Sequence, residues 1–322
     1  MKKQRRTKWY ACAFAALIVL LLLSVPLLQG VPLQEFPQYF AGLLYESSSS
    51  SEPGAADQTL TVYYLDVGQA DCSVVKLPGG QILVIDAGNN QDGAPVVQQL
   101  RKLGVTRIDY LVATHPHEDH IGGMDDLIRA FPIGSFYMPR VADSQIPTTK
   151  TYESLLSAAS QAGLKAKRAV SGTVLLQEDG LRIRLLGPAG DRYNGLNSYS
   201  AVVRLEYGSK TFLFMGDAEK DAEEEMLRDG VPLSADVLKL GHHGSSTSSS
   251  AAFLQAVSPG AAVISCGKGN DYGHPHKETL ERLGEGGVTV YRTDRDGTIA
   301  AICDGKSIQF QTGLPSCDGN KP

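Results

Sequence analysis

The chain has 322 residues, of which 42% are hydrophobic and 20% are charged, enough for one large or two small globular domains. This composition excludes the disordered, collagen-like and disulfide-dense classes of protein. Five of the 30 Lys and Arg residues precede Trp9, so 25 remain against 35 acidic residues, a balance of −10. This balance argues against general binding of nucleic-acid backbones by net charge, although it is compatible with a local basic groove.

The N-terminus has the pattern of a membrane anchor. Residues 1–8 contain five basic side chains, and residues 9–28 contain no charge. A helix of about 20 residues spans the hydrocarbon core of a bilayer, and a basic flank favours the cytoplasmic side. We therefore predict a single-pass protein of the cell membrane whose C-terminal domain is extracytoplasmic. The alternative is a cleaved signal peptide and a secreted protein, although no small-x-small site ends the apolar run.

Residues 29–58 are predicted to form a spacer and a flexible Ser-rich linker, residues 59–312 the folded domain, and residues 313–322 an irregular tail. Apolar and β-branched runs predict strands at 60–67, 72–77, 82–85, 108–113, 134–138, 181–186, 201–207, 211–215, 237–240, 261–265, 288–292, 298–302 and 307–310. Helices are predicted at 94–103, 120–130, 152–162, 218–229, 249–257 and 276–284. Mixed strands and helices of this kind indicate an α/β domain in which helices cover sheets.

Four cysteines lie in the region predicted to be outside the cytoplasm, namely Cys72, Cys266, Cys303 and Cys317. An oxidising compartment favours disulfides, and Cys303 and Cys317 are the nearest pair, but four unpaired thiols are an equal alternative. No C-x-x-C motif occurs, which argues against a thiolate metal site or a thioredoxin-type motif.

All seven histidines fall in three short clusters, and the first is the sequence HPHEDH at residues 115–120. His115 and His117 follow a predicted strand and can point to one side of an extended segment. Asp119 is predicted to be the N-cap of a helix that begins at His120. Imidazole and carboxylate ligands suit zinc, and also manganese or iron. We therefore predict a metal site here rather than a solvated histidine patch.

Two aspartates at strand ends are further candidates. Asp217 follows a predicted strand and could bridge two metal ions. A Gly-Asp pair at such a place is more often a turn than a ligand, and Asp86 in the sequence IDAG is likewise by itself more often a loop cap.

The other two histidine clusters lie in Gly-rich loops. His243 is the favoured metal ligand. His242 is the favoured contact to a metal-binding residue or to the substrate, although the two histidines could exchange these roles. His274 and His276 precede a predicted helix, where either could cap the helix or bind an anion at its N-terminus.

Seven segments in chain order carry a family resemblance. They are LDVGQADC (65–72), IDAG (85–88), ATHPHEDHIGG (113–123), NSYSAVVRLEYG (197–208), FLFMGDAE (212–219), LKLGHHGSSTS (238–248) and CGKGNDYGHPH (266–276). Together they resemble the hydrolase domain at the C-terminus of ComEC-type DNA-uptake proteins, within the metallo-β-lactamase superfamily. The resemblance implies an αββα four-layer sandwich with two divalent metal ions at one edge of its sheets. It also implies the ligand set His115, His117, Asp119, His120, Asp217 and one of His242 and His243.

The chain departs from this family pattern in two respects. Many superfamily members have a further metal-binding histidine after the first cluster, but no histidine occurs between residues 121 and 240. Asn197 and Ser200 occupy that stretch, as in ComEC-like domains, and are candidate substrate contacts. ComEC-type proteins also carry a multi-helix channel, and the single predicted anchor does not support a role as the DNA translocator itself.

The predicted chemistry is metal-assisted hydrolysis by a hydroxide shared between two cations, zinc being the first choice and manganese the alternative. Asp119 would also orient the nucleophile, while His242 and His276 would steady the leaving group or the oxyanion. The turn that contains Gln69 and Asp71 would contribute donors to an anionic substrate.

The loop that contains Ser245 would add further donors of this kind. The predicted substrate is a phosphodiester, with DNA outside the cell as the leading example; no protein partner can be inferred. The alternatives are hydrolysis of another ester or a lactam, such as a phosphorylcholine ester or a β-lactam, and a surface module that binds without catalysis.

Overall fold

Two mixed β-sheets form the centre of the computed structural model, which describes residues 58–178 and 180–317. The strands within these residues are, in chain order, β1 (Leu60–Tyr64), β2 (Ser73–Lys76), β3 (Ile82–Ile85), β4 (Ile108–Val112), β5 (Ile133–Met138), β6 (Ala166–Arg168), β7 (Val174–Glu178), β8 (Leu181–Leu185), β9 (Val203–Tyr207), β10 (Lys210–Phe214), β11 (Val237–Lys239), β12 (Ala261–Ile264), β13 (Thr289–Arg292), β14 (Thr298–Cys303) and β15 (Ile308–Leu314). The helices are α1 (Gly93–Lys102), α2 (Glu118–Ile121), α3 (Met124–Ala130), α4 (Lys150–Gln161), α5 (Lys220–Asp229), α6 (Ala251–Val257), α7 (Lys277–Glu285) and α8 (Thr293–Asp296).

Both sheets change from antiparallel to parallel pairing at one strand. The eight-stranded sheet has the order β15-β14-β1-β2-β3-β4-β5-β6, and its pairs become parallel from β3 onwards. The seven-stranded sheet has the order β13-β12-β11-β10-β9-β8-β7, and its pairs are parallel between β13 and β10. Parallel strands present their carboxyl ends at one edge, where α/β folds display functional groups.

The core consists of three apolar layers. Side chains of both sheets meet in the central layer, where the ring of Tyr64 stacks on that of Phe214 with 5.9 Å between centroids. Helices α1–α4 cover the outer face of the first sheet, and α5–α7 cover the outer face of the second. Each helix buries one apolar stripe against a sheet face, so the chain stacks as an αββα four-layer sandwich.

The predicted helix 120–130 is two helices, α2 and α3, separated at Gly122 and Gly123. A Cβ atom on Gly122 would lie 2.2 Å from the carbonyl carbon of Asn89, and one on Gly123 would lie 2.4 Å from the carbonyl oxygen of Ala87. The chain therefore passes the loop after β3 too closely for any side chain. The N-cap prediction for Asp119 was also wrong, because α2 begins at Glu118 and Asp119 lies in its first turn.

Sequence patterns did not predict three short elements, β6, β7 and α8. β6 has the exposed sequence AKR, α8 is one polar turn, and β7 begins and ends with exposed side chains, so none carries a clear apolar period. The folded part also extends past the predicted end at residue 312, because Leu314 of β15 pairs with Thr298 of β14 beyond a bulge.

In the part of the chain that the structure describes, no helix combines the length and the apolar character that a membrane crossing requires. The predicted basic flank (1–8), anchor (9–28) and most of the linker lie outside the described residues. Within the described residues, Cys72, Cys266 and Cys303 are free thiols, so the predicted disulfide between Cys303 and Cys317 does not form.

Candidate metal centre

Loops that follow five strands bring the candidate ligands to one edge of the sandwich. The HPHEDH segment follows β4, Asp217 follows β10, and the histidine pair 242–243 follows β11. Asp86 follows β3, and the loop that contains His274 follows β12. All five strands take part in parallel pairing, which explains why residues so distant in sequence converge.

Backbone strain is concentrated in these loops. Asp86, His242 and His243 have φ angles of 59°, 49° and 53°, values that non-glycine residues seldom adopt. Two successive left-handed residues cost free energy, and such strain persists where the surrounding structure requires it, often at functional sites. Here it turns both imidazoles of the pair toward Asp217.

Asp217 belongs to two groups of potential metal ligands. One group contains His115, His117 and Asp217, and the other contains Asp119, His120, Asp217 and His243; within each group the potential ligand atoms lie within 4.8 Å of one another. The structure therefore brings together all six residues that the family resemblance implies, with His243 rather than His242 in the second group. A carboxylate shared between two ligand sets has the arrangement of a bridge between two ions.

In the first group, Nε2 of His115 lies 3.0 Å from Nδ1 of His117 and 3.8 Å from Oδ2 of Asp217. In the second, Nε2 of His120 lies 3.2 Å from Oδ1 of Asp217, and Nε2 of His243 lies 3.1 Å from Oδ2 of Asp119. The two oxygens of Asp217 thus point to different groups. The candidate ligand atoms thus face one another in both groups.

The residues fit divalent cations because of their donor atoms and because two of these buried atoms lack a hydrogen-bond partner within the described residues. Nε2 of His120 and Oδ1 of Asp217 are buried and make no hydrogen bond within the described residues. Buried polar atoms of this kind normally have a partner, and an ion coordinated by both would supply it. Two imidazoles, of His120 and His243, and two carboxylates, of Asp119 and Asp217, surround this point, a donor set that suits zinc or manganese.

A carboxylate behind the centre fixes the ring of His120. Oδ2 of Asp86 accepts a hydrogen bond from Nδ1 of His120 at 2.8 Å, so that Nε2 faces Asp217. Thr114 holds Asp86 in turn, through its backbone N–H at 2.8 Å and its hydroxyl at 2.7 Å. Carboxylate–histidine pairs of this kind orient metal ligands, so Asp86 is a positioning residue rather than a simple loop cap.

The ring of His243 is fixed in a similar way. Its Nδ1 lies 3.0 Å from the carbonyl oxygen of Ser265 and 3.4 Å from Oδ1 of Asp71. Asp71 also forms a buried ion pair with Lys239, with Nζ 2.8 Å from Oδ2. These contacts leave Nε2 of His243 directed at the carboxylates of the centre.

Opposite charges dominate the electrostatics of the centre. Burial opposes the protonation of His120, but Asp217, Asp119 and Asp86 outweigh it and hold the pKa of His120 well above its ordinary value. Burial also opposes the ionisation of Asp217, yet the neighbouring histidines hold its pKa well below the usual range. Burial lowers the pKa of His115, which lies against His120. Asp217 is thus ionised, as metal binding requires of a carboxylate ligand.

A cavity of about 310 Å³ opens onto this centre. Its walls are formed by Gln69, His117, Glu118, Asp119, Asn197, Asp217, His242, His243, Tyr272 and His274. Of the predicted substrate contacts, Gln69 and Asn197 therefore line the cavity, as does His242. The volume is at the lower end of the range for small-molecule sites, so it would admit part of a larger substrate.

Three predicted substrate contacts lie elsewhere. Asp71 is buried because it pairs with Lys239, and Ser245 is buried with its hydroxyl 3.0 Å from that of Thr247. Ser200 is also buried, and its hydroxyl accepts a hydrogen bond from the N–H of Asp217 at 3.0 Å. These side chains support the centre and do not reach the cavity.

His276 was predicted to act in catalysis, but it does not line the cavity. It is the N-cap residue of α7, and its Nδ1 accepts a hydrogen bond from the N–H of Ser246 at 2.9 Å. The side chain joins the loop after β11 to the loop after β12. His274 lines the cavity instead, 5.4 Å from His242 between ring centroids.

Sequence reasoning missed Glu219, Lys239 and Tyr272. Glu219 lies 3.0 Å from Nδ1 of His242, and the segment FLFMGDAE contains it two residues after Asp217. The charge of Lys239 inside the apolar run of β11 was a usable signal, because a lysine in a buried strand needs a charged partner. Nothing in the pattern around Tyr272 distinguishes it from a loop aromatic.

Comparison with known proteins adds evidence of ancestry. A family model described as "Metallo-beta-lactamase superfamily" matches residues 65–268. The chain is 31% identical to ComE operon protein 3 of Bacillus subtilis (strain 168) over 252 residues, which is 73% of this chain and 32% of that protein. It is 32% identical to Competence protein ComA of Neisseria gonorrhoeae over 265 residues, 81% of this chain and 35% of that protein. The chain thus spans about a third of the length of these relatives.

Among solved structures, a variant of the CmlA beta-hydroxylase superposes with a TM-score of 0.50 at 14% sequence identity, over 84% of this chain and 57% of that one. At this level of identity the likeness concerns the fold alone.

Proposed function

The chain belongs to the metallo-β-lactamase superfamily of hydrolases, and we propose that it is an extracytoplasmic, metal-dependent phosphodiesterase that cleaves nucleic acid. The observation that carries this proposal is the position of Asp217 between two ligand groups beside an open cavity. A site that served structure alone would enclose its metal ion with four ligands and would not need a cavity.

Two ions would be held by His115, His117 and Asp217 on one side and by Asp119, His120, Asp217 and His243 on the other. When bound, such ions polarise a phosphoryl oxygen and lower the pKa of the water that attacks it. The first group has three ligands of the protein, which leaves room for solvent or substrate. Zinc is our first choice of metal and manganese the alternative.

Asp119 has the position of a base. Its side chain is 31% exposed, whereas that of Asp217 is 3% exposed, so Asp119 is the more accessible of the two ligand carboxylates that line the cavity. His243 and His120 hold the carboxylate from behind, at 3.1 Å and 3.7 Å. We infer that Asp119 orients the attacking water and accepts its proton.

His242 has the position of an acid for the leaving oxygen. Glu219 and Thr247 lie 3.0 Å and 3.1 Å from its Nδ1, and Nε2 lies 3.8 Å from Oδ2 of Asp217 at the cavity. With Nδ1–H directed at Glu219, Nε2 is the nitrogen that can carry a proton to the substrate.

The choice of a phosphodiester rests on the relatives. The relatives include proteins with competence names, and such names suggest nucleic acid as the substrate. The fold itself does not choose the substrate, because one fold hosts many reactions. The amide groups of Gln69 and Asn197 at the cavity are suitable donors to the oxygens of an anionic substrate.

The test is a comparison of substrates with the metal-loaded full chain. We expect turnover of single- or double-stranded DNA and of a chromogenic phosphodiester with zinc or manganese, and none of nitrocefin or a phosphorylcholine ester. Asp119→Ala should abolish turnover while the chain stays folded. Asp125→Ala is the matched control, since Asp125 pairs with Arg129 on the exposed side of α3. Turnover of nitrocefin without any phosphodiester would replace the proposal, and metal binding without any turnover would favour a binding module.

The extracytoplasmic location is a separate part of the proposal. It is supported by the basic flank 1–8 and the uncharged run 9–28, which lie outside the described residues. Protease added to intact cells should digest the domain, and protection of the domain until the cells are lysed would contradict this location. An N-terminus that begins after residue 28 would favour secretion.

A further inference from the structure

Tyr272 is an exposed aromatic side chain at the mouth of the cavity. It is 69% exposed, more than any other large hydrophobic side chain among the described residues. Its ring lines the same cavity as Asp119 and Asp217. Exposure of an aromatic ring costs free energy, so an exposed ring beside a candidate active site is a candidate for substrate contact.

The ring continues a stack that begins at the metal centre. The rings of Tyr272 and His274 are stacked, with 5.6 Å between centroids and 22° between planes. The rings of His274 and His243 are stacked as well, with 6.1 Å between centroids and 23° between planes. A flat group on the outer face of Tyr272 would therefore extend a column of rings that ends on a metal ligand.

The loop that holds Tyr272 is ordered before any ligand arrives. Nδ2 of Asn270 donates to the carbonyl oxygens of Gly267 at 2.8 Å and His274 at 2.7 Å, and its Oδ1 accepts from the N–H of His274 at 3.0 Å. The carbonyl oxygen of Tyr272 lies 3.2 Å from Nε2 of His276. A loop fixed in this way loses little conformational entropy on binding.

We propose that Tyr272 is a stacking platform for an unpaired nucleobase, and that the substrate is single-stranded or end-frayed nucleic acid. The inference rests on the proposed function, because it names the form of the nucleic acid that the same site accepts. Aromatic side chains bind single strands by stacking on bases regardless of sequence, and the bases of a duplex are already stacked on one another. The acidic balance of the chain argues in the same direction, because general attraction to a duplex backbone is weak.

The test uses the full chain in detergent with three variants. Tyr272→Phe keeps the aromatic face, Tyr272→Leu removes it at similar bulk, and Leu156→Ala is a control at an exposed residue of α4 that does not line the cavity. Each protein is given a single-stranded oligonucleotide, the same strand in a duplex, and a strand with tetrahydrofuran units in place of the nucleosides.

Tyr272→Leu should lower kcat/KM on the base-bearing single strand by about five- to 150-fold, the range measured for loss of one stacked base. The same variant should leave kcat/KM on the baseless strand within about twofold of the unmodified chain, and Tyr272→Phe and Leu156→Ala should match the unmodified chain on both. Equal losses on the two strands, or no loss on either, would overturn the platform.

Fluorescence anisotropy with the metal-free chain separates this inference from the proposed function. If no substrate is hydrolysed but Tyr272→Leu weakens binding of the base-bearing strand by about five-fold or more and leaves the baseless strand unchanged, the platform stands and the phosphodiesterase proposal fails. If nucleic acid is hydrolysed and Tyr272→Leu changes neither hydrolysis nor binding, the phosphodiesterase proposal stands and the platform fails.

Discussion

Lys239 offers a stringent test of how the centre is held. Its ammonium group lies 2.8 Å from Oδ2 of Asp71, and the two side chains are 2% and 6% exposed. Oδ1 of Asp71 lies 3.4 Å from Nδ1 of His243. Lys239→Met removes the charge at similar length and leaves the carboxylate of Asp71 buried beside one imidazole.

The expected cost follows from the burial of this pair. Removing one partner of a buried ion pair destabilises a protein by about 3–5 kcal/mol, because the remaining charge cannot reach water. For a domain of this size, about 2–4 °C of Tm accompany each kcal/mol, so Lys239→Met should lower the Tm by about 6–20 °C. Asp71→Asn in the same chain should restore part of the loss, since the pair is then replaced by neutral groups.

Lys210 supplies the matched control, and thermal and urea unfolding supply the measurement. Nζ of Lys210 lies 2.9 Å from Oδ1 of Asp236, almost the same separation, but these side chains are 25% and 34% exposed. Lys210→Met should therefore cost at most about 1 kcal/mol. Equal losses for the two lysine variants would show that burial does not set the strength of the Lys239 pair, and the reasoning would be refuted.

Three further results are expected. Gly122→Ala should destabilise the chain by about 3 kcal/mol or more in urea unfolding, because the new Cβ would lie 2.2 Å from the backbone of Asn89. The control is Gly284→Ala, in open space within α7, which should stabilise the chain by about 0.5–1 kcal/mol. Similar effects of the two substitutions on stability would contradict this account. Metal analysis should find both ions missing from Asp217→Ala but one ion retained in Asp119→Ala, whereas equal metal contents would refute the bridging role. A chelator should lower the Tm of the metal-loaded chain by about 5–10 °C, as expected for metal present at about 100 times its Kd, and an unchanged Tm would indicate that no metal was bound.

The sequence identifies the metal ligands well because their order along the chain is distinctive. HPHEDH after an apolar strand, Asp217 after another and the histidine pair after a third already define the centre. The structure adds the choice between His242 and His243, which depends on left-handed backbone angles at both residues. No local pattern encodes those angles, because non-glycine residues take them only under tertiary constraint.

The supporting residues could not be assigned from sequence for a related reason. Asp71 lies 168 positions from Lys239, and its burial depends on a pairing between two sheets. The sequence interpretation assigned Asp71 to substrate binding because its turn could supply backbone donors to an anionic substrate. The break between α2 and α3 was missed because a glycine pair inside a helical pattern signals close packing only when the packing partner is known.

His120 joins the two halves of the sandwich into one centre. Its Nδ1 lies 2.8 Å from Asp86, which follows β3 of the first sheet, and its Nε2 lies 3.2 Å from Asp217, which follows β10 of the second. Both strands are the ones at which pairing becomes parallel, so the two aspartates occupy corresponding places in the two sheets. Their functions differ because Asp86 is held by Thr114 behind the ring, whereas Oδ1 of Asp217 has no hydrogen bond within the described residues. One aspartate therefore orients the imidazole, and the other is left to bind the ions.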